Sequence, residues 1–281
     1  MRFLVSLLLG VSAAMPLAGQ SSDVRPDSQA AAQPTLQPTL PATSTASVRP
    51  AIGRNTRAMV LGAAGVGATI SLFDSRLLTG AHRLGGDELR TTSSIGNFVG
   101  GPVPVSLGAA LYAVGRGAGS PFSEQLGREV IRAVLVSGAI TAVTKGVVGR
   151  ARPFAAPGDP DMFNPGHGFT NGSLASFPSG HTSAAFATAT VLARELGVAH
   201  PEARWIVNPL LFGGATFVGF SRVYDRQHWP SDVVAGAALG AITGFEVVAH
   251  AHGDRSPIGR RLFSHLSLGP SAHGLAIAWS R

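Results

Sequence analysis

The 281-residue chain contains no cysteine, and this absence excludes a disulfide framework, thiolate catalysis and cysteine-based zinc sites. Charged residues are also scarce at 13% of the chain, whereas a soluble domain typically has about 25%. This low charge accompanies 45% hydrophobic residues and 36 glycines. The combination is typical of tightly packed helices, either in a membrane or in a dry bundle.

Acidic residues are in the minority, since 15 Asp and Glu stand against 22 Lys and Arg and leave a net charge of +7. This excess favours anionic partners such as phosphates or anionic lipid surfaces. Aromatic residues make up only 7% of the chain. Because no run of Lys and Arg is interleaved with aromatics, nucleic acid is not predicted as a partner.

The N-terminus predicts export from the cytoplasm. One early arginine and the apolar run Phe3–Val11 are followed by small residues, the pattern of a secretory signal peptide over residues 1–19. An uncleaved membrane anchor is the alternative, although the apolar run is shorter than the about 20 residues of a span. Residues 20–56 are rich in Pro, Ser, Thr, Ala and Gln, which predicts a disordered tether.

Residues 57–252 predict one all-α domain, a bundle of about six helices, because no segment shows sustained strand-like alternation. The apolar segments are Ala58–Phe73, Thr91–Gly115, Val130–Val148, Thr182–Leu196, Trp205–Phe220 and Val233–His250. Most uncharged runs are shorter than the about 20 residues of a clean span, so the number of membrane spans stays open. The tail over residues 253–281 allows a short β-hairpin.

Three short motifs carry the residues that can do chemistry. They are Lys145, six residues, then Arg152-Pro153; Pro178-Ser-Gly-His181; and Ser221-Arg222, five residues, His228, three residues, then Asp232. Together they supply three cations, two imidazoles and one carboxylate. Such a set can hold a phosphate, attack it and protonate its leaving group.

The first motif predicts an anion clamp at the end of a helix. Lys145 and Arg152 are seven residues apart, close to two helical turns, so their side chains are predicted to share one helix face. Pro153 then marks the predicted helix exit. The alternative is a pair of basic residues that snorkel at a helix end.

The second motif lies at a predicted helix start. Free backbone N–H groups at Ser179 and Gly180 can bind an anion there, and glycine lets a phosphate approach closely. A simple N-cap is the alternative. The adjacent His181 favours the anion site, because an imidazole beside a bound phosphate can act as a general acid.

The third motif predicts an oriented nucleophile. His228 and Asp232 are four residues apart, so the carboxylate can reach one ring nitrogen and leave the other free to attack. Arg222, six residues before His228, can grip the phosphate. A lone His–Asp pair is more often structural, but here two further motifs accompany it.

Taken together, the three motifs resemble the signature of the type 2 phosphatidic acid phosphatase (PAP2) superfamily. This superfamily also contains bacterial class A acid phosphatases and vanadate haloperoxidases. All of its defining positions are present, and the third motif, followed by Val-Val-Ala-Gly-Ala-Ala-Leu-Gly, is most similar to bacterial envelope members. Asp225, Arg226 and Gln227 fill a spacer in which smaller or apolar residues are expected, a departure that concerns headgroup preference and not the reaction.

The resemblance implies a six-helix core and metal-independent hydrolysis of phosphomonoesters or pyrophosphates, with no cofactor and with vanadate as an inhibitor. It further implies that His228 attacks phosphorus to form a phosphohistidine, that Asp232 orients His228, and that His181 protonates the leaving oxygen. The phosphate oxygens are then held by Lys145, Arg152, Ser179, Gly180 and Arg222.

We therefore expect a phosphatase of the bacterial cell envelope, in the inner membrane with a periplasmic active site or in the periplasm. Apolar helices beside the motifs favour a lipid phosphate substrate and membrane association. The alternatives are a soluble class A-like acid phosphatase for small esters, a vanadium-dependent haloperoxidase, and an anion-binding membrane protein without turnover. The sequence makes no prediction of the oligomeric state.

The remaining polar residues are expected to have structural roles. His167 is interpreted as an exposed loop residue, and Asp159 and Asp161 as turn residues. His250 and His252 lack acidic or cysteine partners at metal-like spacing, so no metal site is predicted.

Overall fold

The structure, a computed structural model, describes residues 56–83, 87–253, 266–271 and 274–279. The predicted signal peptide and the predicted tether up to residue 55 lie outside the described residues.

Eight α-helices occupy the described residues, which confirms the all-α fold class. They are α1 (Thr56–Ser71), α2 (Asp74–Arg83), α3 (Asp87–Gly100), α4 (Val103–Gly117), α5 (Pro121–Val148), α6 (Gly180–Ala199), α7 (Arg204–Tyr224) and α8 (Pro230–Ala251). Where the sequence allows a hairpin, strands β1 (Leu266–Ser271) and β2 (Gly274–Trp279) pair antiparallel, with Leu266 opposite Trp279.

Two pairs of consecutive helices are each joined by a short break with a sharp bend. The axes of α1 and α2 differ by 70°, and those of α3 and α4 by 48°. The single helix predicted over Thr91–Gly115 is therefore wrong, because Gly101 and Pro102 interrupt it and proline cannot continue the hydrogen-bond ladder. If each bent pair counts as one unit, the described helices form six units, the predicted number.

The central element is α6, which packs against α5, α7 and α8. Val191 of α6 meets Val130 of α5 and Val247 of α8 in the main apolar cluster. Helices α6 and α8 touch through their backbones, since a Cβ on Gly240 would overlap the carbonyl oxygen of Ser183. This close contact fixes the first turn of α6 against the third turn of α8.

Three helical segments are long and apolar enough to cross a membrane, namely Pro121–Val148, Pro201–Tyr224 and Pro230–Ala251. If each bent pair is one span, the number rises to five. The first contains α5, the second α7 and the third α8.

Candidate active site

The two cations of the first motif are brought together by a loop and not by a helix face. Lys145 lies in the last turn of α5, which ends at Val148. Gly149 then takes a left-handed conformation with φ 62°, and a Cβ there would overlap the carbonyl of Asn164. The prediction that Lys145 and Arg152 share one helix face is therefore wrong, since Arg152 lies beyond the helix end.

Backbone carbonyls of the loop before α6 hold both cations in place. The Lys145 Nζ donates to the backbone carbonyl of Ser176 at 3.2 Å and also to the backbone carbonyl of Ala175. The Arg152 Nε donates to the carbonyl of Gly172 at 2.9 Å, and its Nη1 donates to the side chain of Gln227. The loop thus fixes the positions of both basic side chains through its carbonyl oxygens.

The second motif starts α6, as predicted, but the expectation that the backbone N–H of Ser179 is free to bind an anion is wrong. Ser179 is the N-cap and is fully buried, and its N–H donates to the backbone carbonyl of Asp232 at 2.9 Å. Its hydroxyl lies 2.8 Å from that of Thr182. A Cβ on Gly180 would lie 3.9 Å from Cε of Lys145, so the lysine side chain runs beside the start of α6.

His181 lies in the first turn of α6, next to the bend between α3 and α4. A Cβ on Gly101 would lie 3.3 Å from its Nε2. Burial, and to a smaller extent the charges of Arg222, Lys145 and Arg152, lower the pKa of His181 to about 4. The three predicted phosphate-binding cations therefore share one site with this imidazole.

His228 is only 2% exposed and lies in the loop that leads into α8. Its Nδ1 is 3.7 Å from Oδ2 of Asp232, an ion-pair distance that is too long for a hydrogen bond. Burial lowers the pKa of His228 to about 3, against the opposing effect of Asp232, and Lys145 and Arg152 add to the lowering. The imidazole is therefore neutral near pH 7.

Asp232 is fully buried in the first turn of α8, and four groups orient its carboxylate. Its Oδ2 accepts the backbone N–H of Trp229 at 2.9 Å and the hydroxyl of Ser176. Its Oδ1 accepts from Arg150 at 2.6 Å, and Nη2 of Arg150 donates to Asp74 at 2.7 Å. The nearby His228 ring is the fourth group.

Arg150 is a positioning residue that the sequence analysis missed. Its side chain is 4% exposed and bridges two buried carboxylates. On a continuous helix Arg150, five residues after Lys145, would lie off the face of Lys145, but α5 has ended before this position. The available signal was Gly149, because helices commonly end at a glycine. Arg150, the next residue, then leaves the helix and can point into the protein.

Arg222 lies in the last turn of α7 and is 7% exposed. Its Nη1 is 3.9 Å from Asp225, and within the described residues its buried Nε has no hydrogen-bond partner. Its backbone carbonyl accepts the N–H of His228 at 3.2 Å. One short loop therefore ties the backbone of His228 to that of Arg222.

Three minor expectations can be compared with the structure. His167 is exposed in a 3-10 turn, and the side chain of Asp159 accepts the backbone N–H of Asp161 at 3.1 Å, as a turn residue does. The expectation that His252 lacks an acidic partner is wrong, because its Nε2 lies 2.7 Å from Glu195. Sequence spacing misses this contact since the two residues end different helices.

The ligand atoms of Glu129, Glu195 and His252 all lie within 4.8 Å of one another. Glu129 and Glu195 are near the ends of α5 and α6 that are opposite to Lys145 and His181. This group is therefore separate from the candidate active site.

Comparison with known families places all three motifs in one domain. Residues 127–256 match the family model of the PAP2 superfamily. Over 69 residues the chain is 44% identical to the lipid A 1-phosphatase of Porphyromonas gingivalis. That stretch is 25% of this chain and 15% of the relative, so the match spans a small part of the relative's length.

Two solved structures resemble the chain. The crystal structure of a transmembrane PAP2 type phosphatidylglycerolphosphate phosphatase from Bacillus subtilis has 22% identity and a TM-score of 0.52, and the match covers 72% of this chain and 98% of that one. The crystal structure of Aquifex aeolicus LpxE has 24% identity and a TM-score of 0.47, and the match covers 63% of this chain and 94% of that one. The first likeness extends the shared helical fold beyond residues 127–256.

Proposed function

We propose that the chain is a metal-independent phosphatase of the PAP2 superfamily, whose family model matches residues 127–256, and that it hydrolyses lipid phosphates through a phosphohistidine intermediate. The observation that carries this proposal is the convergence of three cations and two imidazoles in one largely buried site. Phosphoryl transfer depends mainly on positioning and on neutralisation of charge. These side chains supply both.

In the first step, Nε2 of His228 attacks phosphorus, because Nδ1 faces Asp232. The bond between phosphorus and the leaving oxygen breaks, and that oxygen takes its electron pair and a proton from His181. In the second step a water molecule attacks the phosphohistidine and gives a proton back to His181. The phosphorus–nitrogen bond then breaks, and inorganic phosphate leaves.

The site meets the electrostatic needs of both steps. His228 must be neutral to attack, and its lowered pKa keeps it so. His181 must carry a proton; burial and the nearby cations lower its pKa, and the negative charge of a bound phosphate opposes that lowering. The phosphate oxygens are held by Lys145, Arg152, Arg222, the hydroxyl of Ser179 and the N–H of Gly180.

A lipid phosphate is the substrate class that the helices favour. Lys145 and Arg222 lie in the last turns of α5 and α7, and Asp232 lies in the first turn of α8. If these three apolar helices span a bilayer, the site lies at one membrane surface, where lipid phosphates are found. The matched relative from Porphyromonas gingivalis is named as a lipid phosphatase. We propose a location in the bacterial cell envelope with the site facing away from the cytoplasm.

The direct test removes the proposed nucleophile. His228→Ala is expected to abolish hydrolysis of phosphatidate in detergent micelles, and vanadate is expected to inhibit the wild-type protein. The exposed His167→Ala is the matched control and is expected to keep wild-type turnover. A labelled phosphate attached to wild-type protein and absent from His228→Ala would identify the intermediate.

Two outcomes contradict the proposal. Substantial turnover by His228→Ala would show that another group attacks phosphorus. A wild-type protein that hydrolyses neither lipid phosphates nor p-nitrophenyl phosphate would favour an anion-binding protein without turnover.

A further inference from the structure

A large polar cavity lies directly beside the proposed phosphate site. Its volume is about 830 Å³, within the roughly 300–1,000 Å³ range of pockets that hold small molecules. Side chains from α2, α3 and the end of α7 line it, together with the loop that follows α7. The lining residues include His82, Asn97, Arg222, Asp225, Arg226 and Gln227.

This cavity adjoins the phosphate site through shared residues. Arg222, a proposed phosphate ligand, also lines the cavity. Gln227 lines it as well, and its side-chain oxygen accepts from Arg152, a second proposed phosphate ligand. A group that is covalently attached to the bound phosphate can therefore extend into the cavity.

The lining residues have the chemistry of a site for an anionic, hydroxyl-bearing group. The Nε of Arg226 donates to Nε2 of His82 at 3.0 Å, which holds the guanidinium at the cavity wall. Asn97 donates to Asp225 at 2.6 Å, and its buried carbonyl oxygen has no hydrogen-bond partner within the described residues. An unpaired buried acceptor costs free energy until a donor such as a hydroxyl satisfies it.

The backbone at Arg226 supports a role in binding. Its φ is 54°, a left-handed conformation that a non-glycine residue adopts at an energetic cost. Such strain is typical of residues that must present a side chain in one direction. Arg226 belongs to the spacer Asp225–Gln227, which departs from the small or apolar residues expected there.

We propose that this cavity is a headgroup pocket and that Arg226 binds a second anionic group of the substrate, next to the phosphate that is cleaved. The inference rests on the proposed phosphatase function and adds the substrate class to it. The preferred substrates are phosphomonoesters whose leaving group has a polar, negatively charged headgroup. The leaving group of phosphatidate is uncharged, whereas the leaving group of phosphatidylglycerol phosphate contains an anionic phosphodiester.

The test compares kcat/KM for these two lipids in the same mixed micelles. The wild-type protein is expected to prefer phosphatidylglycerol phosphate, and Arg226→Gln is expected to reduce that preference about tenfold, the usual effect of one charge-assisted hydrogen bond. The reduction should come from KM for the doubly charged lipid. Arg226→Lys should keep part of the preference because it keeps the charge.

Arg76→Gln is the matched control, since Arg76 is exposed on α2 and lies outside the cavity lining. It should leave the preference at the wild-type value. If Arg226→Gln does not fold, His82→Gln tests the same wall of the cavity. It should also reduce the preference for phosphatidylglycerol phosphate over phosphatidate. An active enzyme whose preference is unchanged in the cavity variants would overturn the headgroup pocket and leave the proposed phosphatase intact. A wild-type protein that is inactive on both lipids would overturn the phosphatase itself.

Discussion

At the scale of single residues, Arg150 decides the stability of two buried carboxylates. It bonds Asp232 at 2.6 Å and Asp74 at 2.7 Å, and neither carboxylate is exposed. We expect Arg150→Leu to destabilise the protein by about 3–5 kcal/mol, because removal of one partner leaves buried charge unpaired. Thermal unfolding in detergent measures this loss.

A second substitution separates electrostatics from packing at this position. Asp74→Asn removes one of the two unpaired charges, so Arg150→Leu combined with Asp74→Asn should be more stable than Arg150→Leu alone. If the double variant shows the sum of the two single losses, the charge bridge is not the cause. Activity should stay low in both, since the Asp232 carboxylate has lost its Arg150 donor.

The lowered pKa values of the two histidines predict the pH dependence of the reaction. His228 has a pKa of about 3, so its neutral form is lost only as the pH falls through that value. His181 has a pKa of about 4 in the empty site, so its protonated form becomes scarcer as the pH rises. We therefore expect kcat/KM to increase as the pH is lowered from 8 to 5, after correction for the second ionisation of the substrate phosphate near pH 6.

The pH profile also distinguishes the two imidazoles. His181→Asn should flatten the rise toward low pH, because it removes the group that must be protonated. A wild-type kcat/KM that falls steadily between pH 8 and 5 would mean that the attacking imidazole titrates near its ordinary pKa. That result would contradict the buried, cation-lined environment of His228.

At the scale of helices, the contact between α6 and α8 fixes the relative positions of the proposed catalytic groups. A Cβ on Gly240 would overlap the carbonyl oxygen of Ser183 and lie 2.9 Å from the backbone nitrogen of Ala187. Gly240→Ala must therefore push the two helices apart. Because α6 carries His181 and α8 carries Asp232, we expect this variant to lose both thermal stability and most of its kcat.

The matched control for this prediction is Gly214→Ala in α7, where a Cβ would meet nothing within 4 Å. Alanine is the better helix former by roughly 0.5–1 kcal/mol, so this variant should be as stable as the wild type or more so. If Gly240→Ala behaves like Gly214→Ala, the close backbone contact does not determine the geometry of the site.

The helices also show what the sequence can and cannot predict. The segments Thr182–Leu196 and Val233–His250 lie within α6 and α8 to within three residues at each end, because apolar runs and flanking motif residues coincide there. The predicted start at Val130 is wrong, since α5 begins at Pro121 after the N-cap Ser120. Polar residues such as Glu124 and Arg128 in the first turns of α5 hide the helix from a search for apolar runs.

The site was predictable in composition but not in geometry. Motif spacing identified the residues that converge, such as His181 and His228, because their chemical types are unusual in an apolar chain. It did not identify Arg150 or the helix end at Gly149, since both depend on contacts with distant segments. Asp74, which bonds Arg150, lies in a helix too polar to be detected as an apolar segment.

At the scale of the whole molecule, the surface predicts insertion into a bilayer. Leu61 exposes 72% of its surface, Trp205 76% and Ile206 69%. Ile206 and Leu210, four residues apart and therefore on one face of α7, are both exposed. Large contiguous apolar patches are uncommon on soluble monomers. Trp205 and Ile206 belong to the segment Pro201–Tyr224, and only 33% of the most apolar stretch of that segment is buried. The outward face of α7 is therefore predicted to contact lipid.

We expect the full chain to sediment with membranes, to resist extraction at alkaline pH, and to be released with its activity by detergent. The soluble and detergent fractions are both assayed on phosphatidate and on p-nitrophenyl phosphate. Activity that is confined to the detergent fraction supports a membrane enzyme that takes lipid phosphates. Activity that remains soluble without detergent, and that acts on the small ester alone, would contradict membrane insertion and favour a soluble acid phosphatase. The two outcomes differ because an apolar surface of this kind is stable in lipid but not in water.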